Sequence, residues 1–223
     1  MEQTYCLVAD LLGFRTLLRT LDADKGTKRV EQWIEIATTA RAKHDVRYFQ
    51  LLSDMVFAAE RVSGDGLERL LKFSQDLVEQ GISQNFPVRG AIECGGSHWS
   101  SEVVHGPGLV RAYETASKVD WIGIVCTRVF PHLTKLWDAR LVCSYPAPIR
   151  STDTGRHFAC VTWRLPLHSS LMDLATARGL SNPLMPVEPA VLRKIHNTEG
   201  FLEYCRKLDA DETGLPAGIY HGM

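Results

Sequence analysis

The 223-residue chain lacks most of the features that give a function away. It has no excess of positive charge. Its 25 Lys and Arg stand against 26 Asp and Glu, a formal net charge of −1, so no bulk field exists to hold a nucleic-acid backbone or an anionic membrane. No apolar run approaches the roughly 20 residues of a membrane-spanning helix, and the N-terminus carries no charged-then-apolar leader. The six cysteines (Cys6, Cys94, Cys126, Cys143, Cys160, Cys205) are scattered. Without a CxxC pair or a Cys/His cluster at zinc spacing, they fit neither a secreted disulfide scaffold nor a zinc module. G-x-S-x-G, Walker-type and G-x-G-x-x-G strings are missing, which argues against hydrolase, P-loop and dinucleotide-binding readings. Repeats and low-complexity tracts are missing too. What remains is a cytoplasmic globular chain, 45% hydrophobic and 23% charged, long enough to bury a full core without staples.

The periodicity supplies the elements. Tyr5 to Asp10 is a short apolar run ended by a carboxylate, read as a buried strand stopping at the turn Leu11-Leu12-Gly13. A helical pattern follows from Phe14 to about His44, with Gly26 expected to break it. Val46 to Leu52 and Met55 to Ala59 are strand-like runs separated by Ser53-Asp54, which is hairpin spacing. Gly66 to about Gln80 is an amphipathic helix, Val88 to Cys94 a strand, and SHWSSEVVHG a polar loop. A helix of about ten residues from Leu109 and an apolar strand over Ile122 to Cys126 complete the first part. Its first six elements have the order of a split βαβ, ferredoxin-like α+β unit. Residues 1–145 are therefore expected as the main domain and 146–223 as a C-terminal α/β extension packed on the same sheet. That extension reads as a strand near Phe158 to Leu165, a short helix near Leu171 to Ala177, a loop with Pro183, Pro186 and Pro189, and a final helix over Ala190 to Leu208.

This topology has a chemical consequence. In a split βαβ unit the first two strands run parallel with the third inserted antiparallel between them. The end of strand one, with Asp10, then shares a sheet edge with the turn that carries Asp54. Asp after a strand is also an ordinary helix cap, and Asp in a hairpin ordinary turn chemistry; the joint placement is what points to a metal. Two carboxylates held together repel unless a cation lies between them. Hard oxygen donors of this kind suit Mg²⁺ or Mn²⁺, with coordination positions left for phosphate. The amides after Asp10, at a helix start, are a natural seat for a polyphosphate.

The residues at these positions resemble a known family. Asp10-Leu11-Leu12-Gly13-Phe14 is similar to the D-[IL]-x-G-F that opens class III nucleotide cyclase domains. Leu52-Ser53-Asp54-Met55-Val56 resembles their hairpin G-D segment with Ser53 in place of Gly, and Arg89-Gly90-Ala91-Ile92 with Gly95 resembles their R-x-G-I-x-x-G strand. Gly106-Pro107-Gly108-Leu109-Val110-Arg111-Ala112 is similar to the G-x-x-V-N-x-A start of the next helix. The likeness spans roughly residues 5 to 127, and within the superfamily it is nearest to the pyrimidine cyclases of Pycsar antiphage systems. It implies a cyclase making cyclic UMP or cyclic CMP, which activates a separate effector protein.

By that resemblance Asp10, Asp54 and the Leu11 carbonyl would bind two divalent ions, and the amides of Leu12, Gly13 and Phe14 would hold the triphosphate. A homodimer would complete the sites across its interface. Val110 and Glu114 stand where the family has its Asn and Arg, so either Arg111, Arg89 or a basic side chain from the C-terminal tail is expected to substitute, or turnover is weak. Tyr48, Gln50 and Arg89 are the expected base-binding set, Gln50 replacing the Lys of adenylate cyclases. Rival readings are an inactive cyclase-like module, a purine cyclase and a polymerase-like palm domain. An RNA-binding sheet fits poorly, lacking basic charge and strand aromatics. His98 and His105 read as solvent-facing loop residues, Trp33 as core, and Trp121 as available to a dimer or sheet edge.

Overall fold

A computed structural model describes residues 1–14, 18–19, 21–127, 130, 132–150, 156–164 and 189–210. Its strands are β1 (Glu2–Leu11), β2 (Tyr48–Leu52), β3 (Met55–Arg61), β4 (Val88–Trp99), β5 (Val104–His105), β6 (Gly123–Cys126), β7 (Val142–Tyr145) and β8 (Phe158–Val161). The helices among the described residues are α1 (Ala23–Lys43), α2 (Gly64–Ser83), α3 (Pro107–Ala116), α4 (Leu133–Asp138) and α5 (Pro189–Ala210). Seven strands form one sheet in the order β2-β3-β1-β4-β6-β8-β7, with β5 paired to the far end of β4. β3 lies antiparallel between β1 and β2, the split βαβ arrangement expected from the sequence.

The two faces of this sheet follow from strand alternation. Leu7, Ala58 and Phe49 are cross-strand neighbours on one face, and α2 covers it, with Phe73 edge-on to Phe49. Ser63 caps α2 by accepting from the Gly66 amide at 3.0 Å. The helix buries Leu67, Leu70, Leu71, Phe73, Leu77 and Val78 completely, each contributing roughly 1.5–3 kcal/mol of hydrophobic stabilisation. Val8, Phe57 and Gln50 lie on the other face, where α3 packs. Here Gly108 and Gly95 let helix and strand touch: a Cβ on Gly95 would stand 3.0 Å from the Gly108 Cα.

Several boundaries differ from expectation. Phe14, Leu18 and Arg19 are helical as expected over 14–44, but the chain breaks at Leu21 and Asp22, and α1 starts afresh at Ala23 because Asp22 caps it through the Lys25 amide at 2.9 Å. Gly26 does not break it; it is buried within the first turns. Half of the polar loop SHWSSEVVHG is strand, since β4 continues to Trp99 and pairs with β5, setting His98 opposite His105. Trp121 faces no edge. It is fully buried against Phe201 of α5, ring centroids 4.3 Å apart. β7 and α4 were not foreseen. β8 pairs with both β6 and β7, so one continuous sheet runs through residue 145. The helix expected near Leu171 to Ala177, with Pro183 and Pro186, lies outside the described residues.

Candidate active site

The site is built by the ends of three strands. Asp10 is directly opposite Arg89 in the β1–β4 pairing, so both side chains emerge on the α3 face. Arg89 donates from Nε to Asp10 Oδ1 at 2.7 Å and from Nη2 to Oδ2 at 2.9 Å, a two-pronged ion pair. Its remaining nitrogen, Nη1, donates to the carbonyls of Ser117 (3.2 Å) and Val119 (3.3 Å) behind α3. Burial works against the guanidinium charge, but the Asp10 partner outweighs it and raises the Arg89 pKa.

Asp54 reaches the same edge from the β2–β3 turn. Ser53 turns the chain with φ of 59°, a left-handed backbone that costs a non-glycine residue about 1–2 kcal/mol. The turn is tight enough to pair Leu52 with Met55. The Asp54 carboxyl is half-buried and its pKa is raised, first by burial and then by the negative charge of Asp10; a hydrogen bond from the Leu11 backbone acts in the opposite sense. Two acidic groups at one edge, with one guanidinium paired to Asp10, leave negative charge there uncompensated.

After Asp10 the chain turns sharply. Gly13 takes φ of 76°, open to glycine at little cost, and Phe14 is anchored in the core at 5% exposure. The Leu12 amide donates to the Pro87 carbonyl at 2.9 Å. Leu12 therefore differs from its expected part in a phosphate cradle, since its N–H is engaged within the sheet edge.

Other expected residues are not brought to this edge. Arg111 turns inward along α3, donating to the Cys94 carbonyl at 3.1 Å and approaching Glu93 at 3.6 Å. Glu93 lies four residues along β4 from Arg89, which is about 13 Å of strand, so Arg111 stands away from Asp10 because a buried carboxylate attracts it. Tyr48 sits at the start of β2; its hydroxyl donates to Glu2 at 2.7 Å and its ring stacks on Trp99 at 5.5 Å. Gln50 occupies a third location. With Leu52, Phe57, Leu109, Val110 and Tyr113 it lines an open apolar cavity of about 520 Å³ between the β2–β3 hairpin and α3. Leu52 (65%), Val110 (54%) and Tyr113 (51%) are the exposed apolar side chains there.

The carboxylates of Asp10 and Asp54 and the Leu11 carbonyl are hard oxygen donors, the kind that Mg²⁺ or Mn²⁺ takes. Among the described residues no group of three His, Cys, Asp or Glu converges. A two-carboxylate site fits an ion whose other ligands are phosphate oxygens and water.

No family model matches the chain, and no curated protein matches it either. Solved structures do. The chain is similar to a bacterial light-regulated adenylyl cyclase at 12% identity and a TM-score of 0.54, over 79% of this chain and 56% of that one. It is also similar to a dimeric guanylyl cyclase domain from the aquatic fungus Blastocladiella emersonii, at 13% identity and a TM-score of 0.55, over 72% and 96% of the two chains. The guanylate cyclase domain of Catenaria anguillulae, solved in complex with GTP, superposes at 12% identity and a TM-score of 0.51 over 72% and 96%. The chain has the nucleotide cyclase fold. The light-regulated neighbour extends well beyond it. No helix among the described residues is long and apolar enough to cross a membrane.

Proposed function

We propose that the chain is a metal-dependent nucleotide cyclase, which converts UTP or CTP to the 3′,5′-cyclic mononucleotide and pyrophosphate. The reading rests above all on the placement of Asp10 and Asp54: 44 positions apart in sequence, they lie at one sheet edge, since β1 and β3 pair with Ala9 opposite Val56, and the Asp10 charge adds to burial in raising the Asp54 pKa. They do so on a fold shared with nucleotide cyclases.

In the reaction the ribose O3′ forms a bond to the α-phosphorus, and the bond from that phosphorus to the β-bridging oxygen breaks. Asp10, Asp54 and the Leu11 carbonyl would hold two Mg²⁺ or Mn²⁺ ions, which when bound neutralise charge along the triphosphate and acidify the 3′-hydroxyl. The chain's own residues do the positioning. Gly13 and Phe14, at the turn after β1, offer amides to the phosphates. Arg89, paired with Asp10 in this structure, would turn to phosphate oxygens with Asp10 bound to a cation, and so would supply the positive charge that the family draws from an Arg at the Glu114 position.

The exposed groove of Leu52, Val110 and Tyr113 would seat a second copy of the chain head-to-tail. Gln50 would then face the partner's nucleotide and read its base through the side-chain amide. Pyrimidine choice rests on Gln50 standing where adenylate cyclases carry Lys. A second-messenger role in antiphage defence, acting on a separate effector, rests on the resemblance alone.

One observation favours a second reading, a nucleotide-binding module without turnover: the Arg89–Asp10 ion pair already satisfies one of the two carboxylates. A single experiment separates the readings. The protein is incubated with each of the four NTPs and Mn²⁺, and products are resolved by mass. Cyclic UMP or cyclic CMP is the expected result. Cyclic AMP or cyclic GMP would correct the base and keep the chemistry, a linear dinucleotide would indicate polymerase-type transfer, and no product at all would overturn the cyclase reading.

A further inference from the structure

The strongest unassigned cluster of charge lies beside the Asp10 edge, on the C-terminal part of the chain. β6 runs parallel to β4 with Gly123 opposite Arg89, so the residues just before β6 stand at the same end of the sheet as Asp10. The buried carboxylate of Asp120 is among them, at 4% exposure. Three cations surround it: Arg193 at 2.6 Å, Lys194 at 3.5 Å and Arg150 at 4.0 Å. Arg193 and Lys194 come from α5, which is pegged here by Asn197 Nδ2 donating to the Asp120 carbonyl at 2.9 Å. The Ile122 amide completes the peg, donating to Thr198 Oγ1 at 3.0 Å.

This cluster is joined to the candidate active site. Arg150 Nη2 donates to the Ser117 carbonyl at 2.9 Å, the same oxygen that receives Arg89 Nη1 at 3.2 Å. Two guanidinium groups sharing one acceptor stand side by side. The polar track therefore runs from Asp10 through Arg89, Ser117 and Arg150 to Asp120 and α5. Along it the positive charges outnumber the negative. Arg150, Arg193 and Lys194 share one carboxylate, and once Asp10 binds a cation Arg89 joins them. The heads are also reachable, Arg150 and Arg193 being more than half exposed and Lys194 about a quarter. A helix that needed only an anchor would be held by Arg193 alone, whose contact with Asp120 is the short one. Toward Asp120, Arg150 and Lys194 make only longer contacts, with no hydrogen bond to Oδ1, which leaves donors available.

We propose that Arg150 and Lys194 form, beside Arg89, a polyphosphate subsite that takes the β- and γ-phosphates of the substrate and then the pyrophosphate product. This deepens the cyclase reading and rests on it for the identity of the natural ligand. The C-terminal extension becomes part of the site, contributing charge in cis.

The test uses the full chain and inorganic tripolyphosphate with Mg²⁺, followed by isothermal titration calorimetry. Arg150→Gln and Lys194→Gln should each weaken tripolyphosphate about tenfold, the effect of losing one charged hydrogen bond. Arg150→Lys should restore most of the affinity. Lys207→Gln, on the same helix but 74% exposed and paired with Glu203, should leave it unchanged. Matching melting curves establish that the variants fold; should Lys194→Gln melt early, the Arg150→Gln and Arg150→Lys pair carries the decision. In turnover, both glutamine variants should raise KM for the nucleotide with kcat little changed, and pyrophosphate should inhibit them less than wild type. Wild-type protein that fails to bind tripolyphosphate, or variants that bind it as wild type does, would overturn the subsite even if cyclic product forms. Binding that depends on Arg150 and Lys194 in a protein that forms no cyclic product would keep the subsite and remove the cyclase reading.

Discussion

The two faces of the sheet do different work. One is closed. Trp33 of α1 and the leucines of α2 are wholly buried over it, and Phe86 packs against Trp33 at 5.9 Å. The other carries the ten-residue α3, an open apolar groove, and at its edge a set of carboxylates and guanidinium groups whose charge is not balanced locally, with α5 docked beside them. Apolar burial concentrates on the first face, and chemistry on the second, where half-buried acids are tolerated because they can be reached by solvent and ligand. The difference teaches that stability and turnover should separate under mutation.

The largest break in that comparison is expected from Asp54→Ala. Turnover of the preferred nucleotide should fall at least about a hundredfold, measured as cyclic product per unit time, while the melting temperature stays near wild type. On the closed face, Trp33→Ala should act the opposite way, costing about 3–5 kcal/mol of stability in urea unfolding and removing activity only by unfolding the chain. An intermediate effect is expected in the groove. Tyr113→Asp should weaken self-association by about 2 kcal/mol or more, read by sedimentation velocity, and should lower turnover without changing the monomer's unfolding midpoint. An unchanged association constant would remove the proposed dimer face.

The smallest effect concerns pH. The Asp54 pKa is raised by burial and by Asp10, so the folded chain holds this proton more tightly than the unfolded chain does. Ionised Asp54 therefore destabilises the fold above its raised pKa; the penalty shrinks as pH falls and vanishes below the ordinary aspartate value. Asp54→Asn should accordingly melt about a degree or two higher than wild type near neutrality. That gain should disappear in acid, and a gain that persists there would contradict the electrostatic account.

Much of this was legible in the sequence, for identifiable reasons. The split βαβ order follows from alternating periodicities, and the placement of Asp10 and the Ser53-Asp54 turn at one sheet edge follows from that order. Side-chain destinations were less legible. Arg111 sits one position from a family landmark, yet it turns toward Glu93, a pairing that depends on the register between β4 and α3. Trp121 looked available for an edge, but Gly123 beside it leaves room for the ring, with a Cβ there only 2.6 Å from it, and Phe201 comes from far along the chain to cover it. The length of β4 was hidden because its polar end is held in a strand by partners far along the chain: Ser97 pairs with Glu2 of β1, and His98 and Trp99 with β5. The Asp120 cluster had no local signal at all. Its members are spread from Asp120 to Lys194: Arg150 is brought in by the Val119–Ile149 bridge, and Arg193 and Lys194 when α5 docks.

Direct titration of the divalent ion provides the closest check on the convergence of Asp10 and Asp54. Free Mn²⁺ is followed by electron paramagnetic resonance as it is added to wild type, Asp10→Asn and Asp54→Asn in the presence of a non-hydrolysable nucleotide. The account predicts saturable uptake by wild type that is lost in both variants. Equal uptake by all three proteins would contradict it.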